Sequence, residues 1–440
     1  MAKLNTPRRK VFTHEGAVAQ RISAEQQLRR SVMSCVLWEN EFYEDGQSIA
    51  NRLAWLVPQV DARKVAEMAI EARAEMKLRH VPLLLVREMA RHAAHKGLVA
   101  DTLRRVVQRP DELTEFIAIY WADGKQPLSA QVKKGLASAF GTFDEYQLAK
   151  YNRDGAIKLR DVLFLSHPKA KDAEQDALWK RLIDNALVVP DTWEVALSAQ
   201  NSESKKEKWE RLLQEQRLGA MALLRNLRNM KQAQVDDGLV VRALKQMKPG
   251  RALPFRFIAA ARYAPQWEQY LETGMLKCLR EQENFPGKTV LLIDVSGSMD
   301  WKVSGRSEMT RMDAACGLAV LAREICERVE IYSFSNSVVQ VPTRRGFALR
   351  DALAHSQPHG GTYLGRAVQA VEKQVRKYDR LIVLTDEQSH DRVPDPEKGR
   401  GYMINLASNR HGVGYGVWTH IDGWSEAVIK YIRELERLDA

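Results

Sequence analysis

Residues 288–300, KTVLLIDVSGSMD, constrain this chain more than any other stretch. An apolar run from Val290 to Ile293 stops abruptly at Asp294-Val295-Ser296-Gly297-Ser298. A short apolar run that ends in small polar residues reads as a buried parallel strand delivering a loop at its C-terminal end. Asp294, Ser296 and Ser298 place three hard oxygen donors close together, a set suited to a divalent cation such as Mg2+, with Mn2+ as the alternative. Two later pieces fit the same site. Gly360-Gly361-Thr362 is a tight turn presenting another hydroxyl, and Leu381–Asp386 is a second apolar strand ending in a carboxylate.

This order, DxSxS, then Thr, then Asp, resembles the metal-ion-dependent adhesion site of von Willebrand factor A domains. The resemblance implies direct metal contact from the hydroxyls of Ser296, Ser298 and Thr362, with Asp294 and Asp386 holding waters or one of them coordinating. It implies binding of an outside carboxylate rather than turnover. A phosphotransferase of the haloacid dehalogenase type needs a second Asp where Ser296 stands. Glu387, His390 and Asp391 follow closely, and their polarity reads as loop surface.

From the junction 281–287 (EQENFPG), strands are expected at 289–294, 328–334, 380–385, 401–406 and 415–419, and helices at 311–327, 347–355, 364–377 and 424–437. That alternation predicts a doubly wound parallel sheet over 286–440, with ligands bound at the carboxyl ends of its strands. Residues 1–20 are polar and basic and read as a flexible terminus. From 21 to 285 the pattern is helical throughout, with apolar residues recurring at three and four. Expected helices include 47–57, 61–78, 81–95, 98–107, 111–121, 129–140, 143–153, 174–186, 191–200, 205–216 and 218–229. Short antiparallel helix pairs without a fixed period predict an irregular α-solenoid.

The net charge of +11 is unevenly spread: +1 from residue 288 onward and +10 before it. The excess reads either as a site for a polyanion on the helical part, nucleic acid being the usual one, or as a merely solvated basic surface, and charge alone does not choose between them. No stretch has the length of a membrane span and no apolar leader opens the sequence, so a cytoplasmic protein is expected. Cys35, Cys278, Cys316 and Cys326 show no CxxC spacing and read as reduced, buried thiols, the last two on one helix. His92 and His95, flanked by Arg91 and Lys96, read as solvated.

Three stretches resemble the TROVE module of the Ro autoantigen family: 142–172 (TFDEYQLAKYNRDGAIKLRDVLFLSHPKAKD), Met221–Leu227 (MALLRNL) and Pro254–Phe257 (PFRF). An A domain C-terminal to a TROVE module is also that family's order. The resemblance implies a monomeric HEAT-like ring of helices that binds small noncoding Y-like RNA on its outer surface. It implies single-stranded 3′ ends of misfolded structured RNA in the cavity, and an exoribonuclease or RNA-repair protein as a further partner. The RNA-contacting positions it implies are Lys150, Arg153 and His167, with Lys158, Arg160 and Lys169 beside them. Lysine and arginine there would neutralise phosphates, and a histidine near a helix end can bond a phosphate or stack on a base. The competing function is a metal-dependent adaptor for a MoxR-type ATPase, which also carries its A domain last but lacks the SHPK and ALLRNL stretches. No Walker loop, HExxH or GxSxG is present, so an enzyme is not expected.

Overall fold

A computed structural model describes residues 11–438 except 14, 20–21, 34–45, 77, 189–192, 194–196, 198–202, 249–251, 253, 281, 304–307, 407–410 and 424–427. Cys35 and all but residues 193 and 197 of the expected helix 191–200 fall outside the described residues. Among those described, the chain forms two compact units. One holds the residues between 23 and 199, and the other holds those at 11–22 and from 200 onward.

The first unit is all helical: α1 (Ala24–Met33), α2 (Gly46–Leu56), α3 (Ala62–Ala74), α4 (His80–Arg91), α5 (Lys96–Val106), α6 (Pro110–Tyr120), α7 (Ala130–Phe140), α8 (Glu145–Tyr151), α9 (Leu159–Ser166) and α10 (Ala173–Ile183). Asp61, Ser129, Asp144 and Asp172 start their helices by accepting first-turn N–H groups, and Pro110 opens α6, where its missing N–H costs nothing. Helices two apart in sequence pack together: α1, α3, α5, α7 and α9 make one layer, and α2, α4, α6, α8 and α10 the other. This two-layer stack is the irregular solenoid expected from the helical patterning. One apolar core, from Leu28 to Leu182, runs through it. A buried ion pair bridges α3 and α6: Arg73 Nη2 lies 2.6 Å from Glu112 Oε1, and Arg73 Nε donates to Val106 O. His95 is not solvated but buried, its Nε2 lying 3.1 Å from Val60 O.

The second unit has helical layers of its own. Its helices α11 (Lys205–Gln214), α12 (Ala220–Gln232), α13 (Asp237–Gln246), α14 (Pro254–Tyr263) and α15 (Glu268–Leu279) again pack two apart. Helix α14 then packs on α16 (Arg311–Ile325), the first helix of the sheet domain. The approach is close, since a Cβ on Gly317 would lie 3.3 Å from Phe255 N. The sequence junction at 281–287 marks where secondary structure changes type. The compact unit begins earlier, because the helices from 205 onward pack with the sheet domain.

The sheet has six strands, β3 (Phe285–Asp294), β4 (Cys326–Phe334), β5 (Val338–Val341), β6 (Arg380–Thr385), β7 (Arg400–Asn405) and β8 (Thr419–Asp422), in spatial order β5-β4-β3-β6-β7-β8. All pairings are parallel except the β4–β5 hairpin. Helices α17 (Gly346–Ala354), α18 (Leu364–Gln374) and α19 (Val428–Leu438) complete the domain. Every residue from Val290 to Asp294 is buried, as expected of a strand covered on both faces. Strand β8 starts where the expected strand 415–419 ends, because Trp418 belongs to the preceding loop and donates its Nε1–H to Pro394 O. Cys326 begins β4 instead of ending a helix with Cys316; with Cys278, all three described cysteines are buried.

The described residues among 11–19 are not loose. Strands β1 (Val11–Phe12) and β2 (Val18–Ala19) pair antiparallel around a turn at Gly16, whose φ of 93° suits glycine. Thr13 Oγ1 donates to Ser389 O at 2.8 Å, and Glu15 Oε2 lies 3.1 Å from His390 Nε2. Tertiary hydrogen bonds thus hold a segment whose polarity alone points to disorder. No helix among the described residues is long and apolar enough to cross a membrane.

Candidate functional site

Sheet order turns back on itself between β3 and β6, since the chain runs from β3 outward to β4 and β5, then returns to β6 on the other side. At such a switch point the loops diverge and leave a crevice at the carboxyl ends of the strands. Asp294 closes β3 there and Asp386 follows β6, both fully buried. Asp294 accepts from the Ser296 N–H (2.9 Å) and the Thr385 hydroxyl (2.6 Å). Burial first, and then the neighbouring charge of Asp386, push the Asp294 carboxyl up to about 7, against the pull of the hydrogen bonds from Ser296 and Thr385. The Ser296 and Ser298 hydroxyls converge at 3.3 Å. Gly297 N–H donates to Gly360 O at 3.1 Å, which brings the 360–362 turn against the serine loop. Thr362, in that turn, is buried. Two carboxylates and three hydroxyls at one sheet end form an all-oxygen donor set with the chemistry that Mg2+ or Mn2+ prefers. No group of three His, Cys, Asp or Glu is placed to hold a metal among the described residues, so a cation here would depend on the hydroxyls.

The sequence pattern does not single out several residues that build this site. Arg311, the first residue of α16, is buried, and its Nη1 lies 3.5 Å from Asp386 Oδ2. Residues 387–389 are fully buried rather than loop surface. Glu387 sits at φ 60° and pairs with His420 of β8, whose Nδ1 lies 3.3 Å from Asp422 Oδ2. The His420 ring stacks on Tyr415 with centroids 4.1 Å apart. His390 joins the Thr362 turn through its backbone N–H to Thr362 O (2.8 Å) and its Nδ1, which accepts from Thr362 N–H (3.1 Å). Asp391 accepts the first N–H groups of α18, from Gly365 (2.8 Å) and Arg366 (2.9 Å). A Cβ on Gly365 would lie 2.1 Å from Arg392 O, so only glycine lets this loop cross the helix start. The acidic-polar run EQSHD was the available signal, but polarity alone cannot tell a buried relay from a solvated loop.

His420 carries a testable pH dependence. Its two carboxylate neighbours outweigh the burial that opposes charge and raise it from 6.5 to about 9. A histidine raised on folding stabilises fully below its unfolded pKa and loses that contribution as pH climbs through the folded one. Relative to His420→Gln, the wild-type chain should lose about 3 kcal/mol of stability between pH 6.5 and 9. Urea unfolding of both at each pH checks this, and parallel curves would refute it.

The cationic positions lie in the first unit, around α8 and α9. Arg153, Arg160, His167 and Lys169 are exposed, and Lys150 and Lys158 half-buried. Arg153, Lys158 and Arg160 line one polar cleft of about 150 Å3 together with Asn152, Asp154 and Asn185. Lys158 pairs with Asp154 at 2.6 Å. Lys150 Nζ stands 5.9 Å from the Tyr151 ring centroid. His167 occupies the left-handed position (φ 51°) that ends α9, its N–H bonded to Leu163 O, and Pro168 follows. Its backbone is therefore satisfied within the helix end while its ring faces out. His167 and Lys169 sit at the end of α9 opposite Lys158. Tyr146 and Phe164 are exposed on the same two helices.

Comparison with known proteins agrees with this architecture. Residues 180–283 match the TROVE domain, and residues 288–398 match the Ro60 vWA domain. The chain is 24% identical over 369 residues to a protein described as RNA-binding protein RO60 from Deinococcus radiodurans, covering 70% of this chain and 68% of that protein. The crystal structure of the Deinococcus radiodurans RO (RSR) protein superposes with a TM-score of 0.64 at 20% identity, covering 95% of this chain and 100% of that one. The chain is thus similar to the Ro proteins, with a segment that matches the TROVE domain followed by one that matches the Ro60 vWA domain.

Proposed function

We propose that this chain is a cytoplasmic RNA-binding scaffold and not an enzyme. Small noncoding Y-like RNA is its main ligand class, and the single-stranded 3′ ends of misfolded structured RNA the second. The observation that carries this is the kinship with an RNA-binding Ro protein, combined with a charge excess confined to the helical part. Lys150, Arg153, Lys158, Arg160, His167 and Lys169 serve as phosphate and base contacts. The exposed rings of Tyr146 and Phe164, on the same two helices, offer stacking surface. At the sheet end, Ser296, Ser298 and Thr362 contact a divalent cation, Mg2+ or Mn2+, with Asp294 and Asp386 beside it. When bound, that cation offers an electrophilic position to a carboxylate from a protein partner, such as an exoribonuclease or RNA-repair protein.

The test is binding of a labelled hairpin RNA to the full chain at several salt concentrations. A triple variant, Lys150→Glu with Arg160→Glu and His167→Ala, should lose about tenfold or more in affinity, and its salt slope should become shallower by about 2. Unchanged affinity at matched salt would remove the assignment of this surface. Sequencing the RNA that copurifies with the chain addresses the ligand directly. One abundant small structured RNA supports the proposal, whereas recovery of a MoxR-type ATPase without RNA would support the adaptor function.

A further inference from the structure

We infer that Arg311 is a built-in counter-ion of the metal site, one that neutralises Asp386 when no cation is bound and competes with the cation for it. The inference rests on the proposal that these residues hold a divalent ion. Its basis is the placement of one guanidinium. Arg311 is 3% exposed and its Nη1 lies 3.5 Å from an oxygen of a carboxylate that is 0% exposed. The side chain is not an accident of a loose terminus. Thr310 caps α16 through Asp313 N–H, Arg311 N–H donates to Trp301 O at 2.9 Å, and Lys302 and Thr310 form an antiparallel bridge. The serine loop and the start of α16 are thereby fastened together, with the guanidinium aimed at the crevice.

Charge balance gives the reason. Two buried carboxylates cannot both stay ionised without a partner. A dication would neutralise both. Arginine supplies a single positive charge and cannot shed its proton to make way. Without metal, the Arg311–Asp386 pair leaves one carboxylate, Asp294, to be balanced by hydrogen bonds. With metal, the site carries an extra positive charge unless Arg311 withdraws from Asp386. Arg311 therefore lets the fold persist without metal and sets the affinity low, so that occupancy follows the ambient cation concentration.

The experiment uses the full chain and Mn2+ as probe, with affinity measured by calorimetry for the wild type, Arg311→Gln, Arg311→Lys and Asp294→Ala. Arg311→Gln is expected to bind Mn2+ at least tenfold tighter than wild type, and Arg311→Lys within about threefold of it. A second readout needs no variant: on Mg2+ titration of the wild type, the Arg311 Nε–H resonance should shift, saturating at the concentration that fills the site. Equal or weaker Mn2+ binding by Arg311→Gln, or an unmoved Arg311 signal at saturation, overturns the inference. Asp294→Ala separates the two levels. If it binds as wild type does, the metal-site proposal itself fails; if it loses binding while Arg311→Gln gains nothing, only the counter-ion inference fails.

Discussion

Arg380→Ala is expected to destabilise the sheet domain by about 3–5 kcal/mol, the loss typical of breaking a buried ion pair from one side. Arg380 is 4% exposed at its side chain and grips Glu436 of α19 with two bonds, Nε to Oε1 at 2.9 Å and Nη2 to Oε2 at 2.7 Å. Its Nη1 also donates to Pro286 O and Thr289 Oγ1, and its guanidinium lies 3.8 Å over the Phe285 ring. Removal leaves Glu436 with only the Tyr402 hydroxyl among these partners. It also frees α19 from the start of β6, the strand that Asp386 follows. Against a total stability of about 5–15 kcal/mol, this loss is large. Urea denaturation measures it. Replacing both partners by apolar residues, Arg380→Met with Glu436→Leu, should recover much of it, because no uncompensated charge then remains. A single variant within 1 kcal/mol of wild type would show that the pair is not desolvated as described.

The second large effect concerns the cation. At a Mg2+ concentration a hundredfold above its own dissociation constant, the folded chain should gain about 2.7 kcal/mol, simply because the ion binds the folded state alone. Asp294→Ala and Asp386→Ala should abolish that gain while leaving hairpin RNA affinity at matched salt within about twofold, since the near-neutral sheet domain and the basic helices divide the two tasks. Thermal melts with and without Mg2+, paired with RNA titrations, decide it. An equal loss of RNA binding in Asp294→Ala would mean that the cation contacts RNA or props up the RNA surface.

Strands β3 and β6 were legible because each is a continuous apolar run cut off by a carboxylate, and burial on both faces demands that composition. With the two strands came the placement of Asp294 and Asp386 at strand ends, because each carboxylate follows its apolar run. The four-residue β5 was not legible, for it is half-covered and VVQV has no period of its own. Strands β1 and β2 are shorter still and exist through Thr13 and Glu15, contacts that no local pattern encodes. Arg311 was hidden for another reason. An arginine at a helix start normally faces water, and only the fold shows that this one meets Asp386, 75 residues further along. Glu387 likewise looks like surface until His420 arrives from β8 to pair with it.

The hydrogen bond from Thr13 to Ser389 spans 376 positions. On a ribosome adding about 5–20 residues each second, the segment around Thr13 waits roughly 20–75 s before its acceptor has been made. Contacts of such long sequence separation close late and slowly. Strands β1 and β2 therefore cannot dock until the chain through β6 and Ser389 has been made, with β7, β8 and α19 still to follow. In refolding, their docking should appear as a late step that buries Thr13 and engages His390, distinct from the fast, local formation of the helical layers.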